Sequence, residues 1–275
     1  QGVNEHGDVT TLGRGGSDTS AAAIAVALNA ERCEIYTDVD GVYTSDPNVV
    51  PDARKMDRIS YDEMLEMSSY GAKMNPRSIE LGMTYNIPII VASSLVDAAG
   101  TLIHKGADMD IPVGEVRNRV RGIATDTSVS SITIHGIADG IGTAATIFEP
   151  LSNANISVDV IVQNASIEGT TNLTFTVSRT ELDQALEVVK PVAVNMRSRG
   201  VTSNSNLAKV SIVGTGMQDS PGYATKMFKS LDTNNINIDM ITTSEIRITC
   251  IIQEADLKLA AQSLHSEFKL DNDIS

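Results

Sequence analysis

Arg14 stands among Gly13, Gly15 and Gly16 and is followed directly by Ser17 and Asp18. The run that holds it, "TTLGRGGSDTSAAAIAVALNA", passes straight into an alanine-rich helix whose first amides are unpaired and partially positive. Glycines let backbone approach a ligand closely, and a guanidinium fork suits a carboxylate or a phosphate, so such a turn could hold an anion. The same residues would also serve a tight strand-to-helix turn with Ser17 as a plain N-cap. The spacing is neither the Walker G-x-x-x-x-G-K-[ST] pattern nor the dinucleotide-binding G-x-G-x-x-G.

A second constellation is "YTDVDGVYTSDP", Tyr36 to Pro47, with Asp38, Asp40 and Asp46, two tyrosines, and hydroxyls at Thr37, Thr44 and Ser45. Carboxylates there could hold Mg²⁺ through water, as nucleotide sites do. Asp-Gly and Asp-Pro are equally ordinary loop punctuation. Lys73 in "YGAKMNP" is either a solvated charge or an ammonium poised over phosphate. His6 and His104 fall in loops, His135 in a strand and His265 on a predicted surface helix. None has a metal-ligand or triad partner at a workable spacing, so no protein-built metal site is expected. The stripe of Met64, Leu65 and Met67 reads as core.

The elements that must position these groups follow from periodicity and punctuation. The pattern predicts a helix over Ser17–Ala30 capped by Ser17 or Asp18, and a strand over Cys33–Val39. A helix starts at Ser60 with capping-box spacing to Glu63. Another lies in "NPRSIELGMTYN", and "IPIIVAS" reads as a buried strand. Strands alternating with helices up to about Ile103 imply a mainly parallel sheet, with ligands beyond the strands' carboxyl ends. After Val120 the texture changes to strand, glycine-rich turn, helix, strand, strand, helix, and roughly 80 residues later the order returns. "ITIHG" matches "VSIVG", and "NANISVDVIVQN" matches "NNINIDMITTS". Two β-α-β-β-α units imply paired ferredoxin-like modules. In each, "IADGIG" or "MQDSPG" joins a strand to a helix start, where an amino acid's carboxylate could dock while Asp139 or Asp219 takes its amine. A simple βα turn is the plainer reading.

Composition narrows the classes. At 275 residues the chain has room for two or three domains, and 41% hydrophobic with 20% charged residues is ordinary for a globular protein. A formal charge of -14 argues against nucleic-acid or anionic-membrane partners. Any site for an anion must therefore rest on local donors. No apolar run approaches the ~20 residues that span a bilayer. Cys33 and Cys250 sit far apart in apolar runs and read as buried free thiols of a reducing, cytoplasmic setting. The opening "QGVNEHGD", without a start methionine, reads as the middle of a domain, so a preceding portion is expected.

Taken together, "TTLGRGGSDT", "CEIYTDVDGVYTSDP", "SYDEMLEMSSYGAK", "NINIDMITTSEIRI" and the paired repeats resemble the aspartokinase family over nearly the whole chain. The resemblance implies an α/β fold. Residues 1–112 would be the carboxyl-terminal part of a mainly parallel amino-acid-kinase sheet. Residues 120–200 and 201–275 would be two ferredoxin-like (βαββαβ) ACT modules, with strands open to exchange between them. It implies Arg14, Gly15, Gly16 and Ser17 as contacts to L-aspartate. For ATP it implies Thr37, Asp38, Tyr43, Thr44, Ser45, Asp46, Pro47, Asn48 and Lys73. An effector, lysine or threonine or both, would be met by Asp139, Gly142, Gln163 and Asn164, and by Asp219, Asn235, Ile236, Thr243 and Ser244. The implied reaction is phosphorylation of the aspartate side chain by Mg²⁺-ATP, with feedback inhibition and assembly into a homodimer or larger. Asn48 replaces the family's usual arginine, and Ile141 stands where proline is expected. The family's amino-terminal Lys-x-Gly-Gly segment is absent from these residues, so these 275 residues alone are expected to be inactive. Two other readings remain: an amino-acid-binding regulatory subunit without catalysis, and another kinase of the same fold acting on glutamate or a nucleotide.

Overall fold

A small mixed sheet organises the residues up to His104. The computed structural model describes residues 2–13, 15–69, 74–106, 119–166, 169–217 and 221–272. After the short hairpin β1 (Gly2–Val3) and β2 (Val9–Thr10) come helix α1 (Gly16–Ala27) and strand β3 (Cys33–Thr37). A long loop leads to β4 (Arg58–Ser60), α2 (Tyr61–Ser69), α3 (Pro76–Tyr85), β5 (Ile89–Ser93) and β6 (Thr101–His104). The strand order is β3-β5-β6-β4, with β3/β5 and β4/β6 parallel and β5/β6 antiparallel. The antiparallel pair follows from its short connection, 94–100, which leaves no room for the crossover a parallel pair needs. Gly100 sits hard against this turn: a Cβ there would lie 2.1 Å from the Val91 carbonyl oxygen.

Local signals explain most of these elements. Ser60 N–H donates to Glu63 Oε2 and Glu63 N–H donates to Ser60 Oγ, both at 3.2 Å, which is the expected reciprocal capping box at the start of α2. Asn75 caps α3 by accepting from Arg77 N–H at 3.0 Å, and Pro76 follows at the first helical position. Met64 and Met67 are buried in the same cluster as Ile59, Ile79, Ile89 and Ile103.

The remainder forms one six-stranded antiparallel sheet with helices packed on it. Its elements are β7 (Gly122–Ala138), α4 (Thr143–Asn153), β8 (Val158–Gln163), β9 (Thr170–Ser178), α5 (Leu182–Asn195) and β10 (Gly200–Val213). Then come α6 (Tyr223–Thr233), β11 (Met240–Thr243), β12 (Arg247–Gln253) and α7 (Leu257–Glu267). The order β11-β12-β10-β7-β9-β8 puts two long strands at the centre. They pair antiparallel from Gly200↔His135 to Val213↔Gly122, with register shifts around Leu207. The shift divides each long strand between two βαββαβ units. The later part of β7 and the start of β10 join β9 and β8, while residues 122–126 complete the sheet of β10, β12 and β11. Thus a segment that precedes the first unit in sequence supplies a strand to the second. Separate apolar cores lie under α4 and α5 and under α6 and α7. The duplication reaches the backbone: Gly142 (φ 88°) and Gly222 (φ 114°) open α4 and α6, and Asn155 and Asn235 (both φ 56°) close them.

Candidate active site and regulatory units

The α1 start differs from the expected capping. Gly15, in the left-handed region at φ 72°, is the cap, and no side chain caps this helix. Asp18 is engaged elsewhere, its Oδ2 accepting from Asn75 N–H at 3.3 Å, so the starts of α1 and α3 are tied together. Ser17 is exposed at the helix start, its Oγ donating to Asp18 Oδ1 at 3.4 Å. Gly15 is required twice over, since its φ suits glycine and a Cβ would come 3.1 Å from Asn75 Nδ2. Gly16 is buried against Leu12. Arg14 and Lys73 lie outside the described residues.

A cavity of about 890 Å³ opens beside this helix start, beyond the carboxyl end of β3. Ser17, Thr37, Asp38, Tyr43, Ser45, Asp46, Pro47 and Asn48 all line it, so the structure gathers most of the two predicted constellations around one space. Gly15 and Gly16 stand just behind Ser17 and are not in its wall. Strand β3 ends at Thr37, two residues earlier than expected, with the Thr37 carbonyl accepting from both Ser94 N–H and Oγ. Tyr43 Oη donates to Asp40 Oδ1 at 2.8 Å, which raises the phenol's pKa. Asp46 Oδ1 accepts from both the backbone and the side-chain amide of Asn48 at 2.9 Å. The residue that replaces the family's arginine thus stabilises the loop's own turn. Ser45 is 3% exposed and its Oγ has no hydrogen-bond partner although it borders the cavity.

Thr44 does not belong to this wall. It is buried, its Oγ1 accepting from Arg54 N–H at 2.9 Å and meeting His265 Nε2 at 2.9 Å. Alternation along the loop turns Thr44 away from the cavity when Tyr43 and Ser45 face it. His265, expected on a surface helix, is only 2% exposed, because α7 packs that face on the 44–54 loop. Burial holds its pKa below the ordinary value. His104 ends β6 and does not sit in a loop.

Nothing in the residue pattern pointed to the cavity's far wall. Ile123, Ala124, Thr125 and Thr127 from β7 and Leu257 from α7 complete it. A strand's contacts across a sheet leave no mark on its own periodicity. Among the described residues the lining holds Asp18, Asp38, Asp40 and Asp46 and no Lys, Arg or His. No cluster of three or more His, Cys, Asp or Glu capable of holding a metal occurs among the described residues. A Mg²⁺ ion there would take one or two of these carboxylates, Asp38 or Asp46, and draw its other ligands from phosphates and water.

In the first unit, β7 and β8 both run antiparallel to β9, so their carboxyl ends lie at one edge. Asp139, Gly142, Gln163 and Asn164 gather there, all exposed. In the second unit Thr243 and Ser244 sit at the corresponding end of β11. Asn235 and Ile236 lie at the opposite end of β11, since α6 carries the chain back before that strand begins. Ile236 is moreover buried in the core, and its N–H is spent on the Leu231 carbonyl. Within this chain the two pairs do not meet. Asp219 lies outside the described residues. Cys33 and Cys250 are buried and unbridged, burial pushing the Cys250 thiol up to about 12.

Fold and cavity define a class: an α/β unit of the amino-acid-kinase type joined to a pair of ACT-type units. The amino acid kinase family model matches residues 1–93, and the ACT domain model matches residues 131–191 and 210–268. Aspartokinase from Pseudomonas aeruginosa is 46% identical over 275 residues, 98% of this chain and 65% of that protein. The structure of E. coli aspartokinase III with aspartate and ADP (R-state) aligns at TM-score 0.77 and 32% identity, over 97% of this chain and 58% of that one. The same enzyme with lysine and aspartate (T-state) aligns at TM-score 0.72 and 31% identity, over the same 97% and 58%. The regulatory subunit of aspartate kinase from Thermus thermophilus aligns at TM-score 0.53 and 35% identity, over 55% of this chain and 99% of that subunit. The chain belongs to the aspartokinase family. It spans a little under two thirds of the length of the curated relatives it matches.

Proposed function

We propose that the protein containing this chain transfers the γ-phosphoryl group of ATP to the side-chain carboxylate of L-aspartate, giving ADP and 4-phospho-L-aspartate. The observation that carries the reading is the single cavity that joins Ser17, at the start of α1, to the loop from Thr37 to Asn48. The amides of that helix start, with Ser17 and Arg14, would hold the substrate carboxylate, and the loop with Lys73 would hold the nucleotide. Aspartate's carboxylate is ionised at neutral pH, so it attacks phosphorus without a general base. Mg²⁺ bound to the phosphates would neutralise charge on the group being transferred. Because four carboxylates line the described wall, the residues around the cavity favour a nucleotide that arrives with its cation. The kinship with an enzyme crystallised with aspartate and ADP supports the same substrates.

The paired ACT units would bind lysine, threonine or both at the ends of β8 and β11 and lower activity as the pathway's end products accumulate. The lysine complex of the E. coli relative supports this assignment. The exposed edge strands β8 and β11 support assembly into a homodimer or larger. A cytoplasmic setting is supported by the two buried free thiols. Among the described residues, no helix is long and apolar enough to cross a membrane.

The decisive experiment is calorimetric titration of Mg-ATP, L-aspartate, L-lysine and L-threonine, with glutamate as the competing substrate in turnover assays of the complete protein. Nucleotide and aspartate binding with phosphorylation of aspartate is the expected result. Effector binding without nucleotide binding would establish the alternative, a regulatory subunit, which the 99% coverage of the Thermus regulatory subunit favours.

A further inference from the structure

Helix α2 stands between the two functional regions. Met64 and Met67 face the cavity, buried to 1% and 4% exposure. Glu63 and Glu66, one turn apart, reach the second regulatory unit instead. Glu63 Oε1 accepts from the N–H and the hydroxyl of Thr215, at 3.1 and 3.0 Å. Glu66 Oε1 accepts from Ser244 Oγ at 3.0 Å, and its Oε2 accepts from Arg247 Nη1 at 2.9 Å. Ser244 and Arg247 close the β11–β12 turn, Ser244 N–H donating to the Arg247 carbonyl at 2.8 Å.

The two glutamates are not equivalent. Glu63 is committed to the capping box and to a backbone amide, so it fixes the helix. Glu66 instead meets two side chains, Ser244 and Arg247, both from the turn that carries the candidate effector position Ser244. Packing also joins the helix to the regulatory sheet. A Cβ added to Gly122, at the start of β7, would meet Met67 Cε at 2.9 Å, so the α2 side chain packs directly on the regulatory sheet.

We propose that Glu66 is the positioning residue through which the β11–β12 turn sets α2, and with it the methionine wall of the nucleotide cavity. A ligand engaging Ser244 competes for the hydroxyl that Glu66 holds, shifts the carboxylate's remaining bond to Arg247, and moves Met64 and Met67. Glu66 touches neither substrate nor nucleotide. The inference rests on the reading that the cavity takes Mg-ATP and the ACT units take an amino acid.

The test is a thermodynamic cycle in the complete protein. Mg-ATP is titrated with and without saturating L-lysine or L-threonine, in wild type, Glu66→Gln, Arg247→Gln and the double variant. Wild type is expected to lose nucleotide affinity on effector binding by a factor within the usual ~5–150-fold allosteric range. In Glu66→Gln the separate affinities should stay within about 2-fold of wild type, while that factor falls below about 2-fold. Arg247→Gln should reproduce the loss, and the double variant should add nothing. Hydrogen exchange of amides 61–69 should respond to effector in wild type and not in Glu66→Gln. A coupling factor that survives Glu66→Gln overturns this proposal alone. If neither amino acid binds wild type, the regulatory reading beneath it fails as well.

Discussion

Thr44 Oγ1 and His265 Nε2 meet at 2.9 Å although 221 residues separate them in sequence. The contact pins the loop of the candidate nucleotide site to the last helix of the second regulatory unit. Thr44 also accepts from Arg54 N–H, so its hydroxyl joins the loop backbone to the His265 imidazole, whose ring tautomer sets the direction of their bond. Desolvation is the leading influence on His265 and lowers its pKa from 6.5, with Asp271 and Asp52 opposing it.

A folded pKa below the unfolded one means that the unfolded chain binds more protons as the medium acidifies. His265 therefore contributes stability that is fully present above the ordinary imidazole pKa and is lost as pH falls below about 6.5. Thermal unfolding between pH 8 and pH 5.5 should show wild type losing midpoint temperature faster than His265→Gln. Parallel pH profiles would show that this histidine is not neutral by burial.

Gly15→Ala should destabilise the kinase portion by about 1–2 kcal/mol, the cost of a left-handed φ for an alanine. The contact with Asn75 adds to it, because Asn75 also caps α3. Urea unfolding measures this directly. A cost under half a kcal/mol would mean that the turn relaxes freely.

Ser45→Ala separates binding from stability. The Ser45 hydroxyl is buried at the cavity and makes no hydrogen bond, so removing it should change stability by less than about 0.5 kcal/mol. If the hydroxyl serves a nucleotide, Mg-ATP should bind roughly 5- to 10-fold more weakly, the worth of one hydrogen bond. Unaltered nucleotide affinity would remove Ser45 from the site.

Asp139→Asn, or replacement of the Gln163–Asn164 pair by alanines, should relieve feedback inhibition and leave uninhibited turnover within about 2-fold, because these exposed residues lie outside the cavity. The measurement is the half-inhibitory concentration of lysine and of threonine in the complete protein. Inhibition as strong as in wild type would move the effector site elsewhere.

What the sequence determined by itself is local. The glycine-rich run before Ser17 marks a turn into a helix, Ser60 and Glu63 announce a helix start three residues apart, and the matched islands around "NANISVDV" and "NNINIDMI" reveal a duplication. Each of these signals is written within a few residues, or twice in the chain, and backbone sterics or repetition suffice to read it. What only the tertiary structure decided is which distant surfaces share a boundary. Residues 122–126 complete the second unit, Ile123 to Thr127 help wall the cavity, Thr44 turns from that cavity towards His265, and Glu66 reaches Ser244 and Arg247. Sheet register and helix packing set those meetings, and their energies come from burial and hydrogen bonds between segments far apart in the chain. A one-dimensional pattern records that a side chain is apolar or charged. Only the folded chain fixes what stands opposite it.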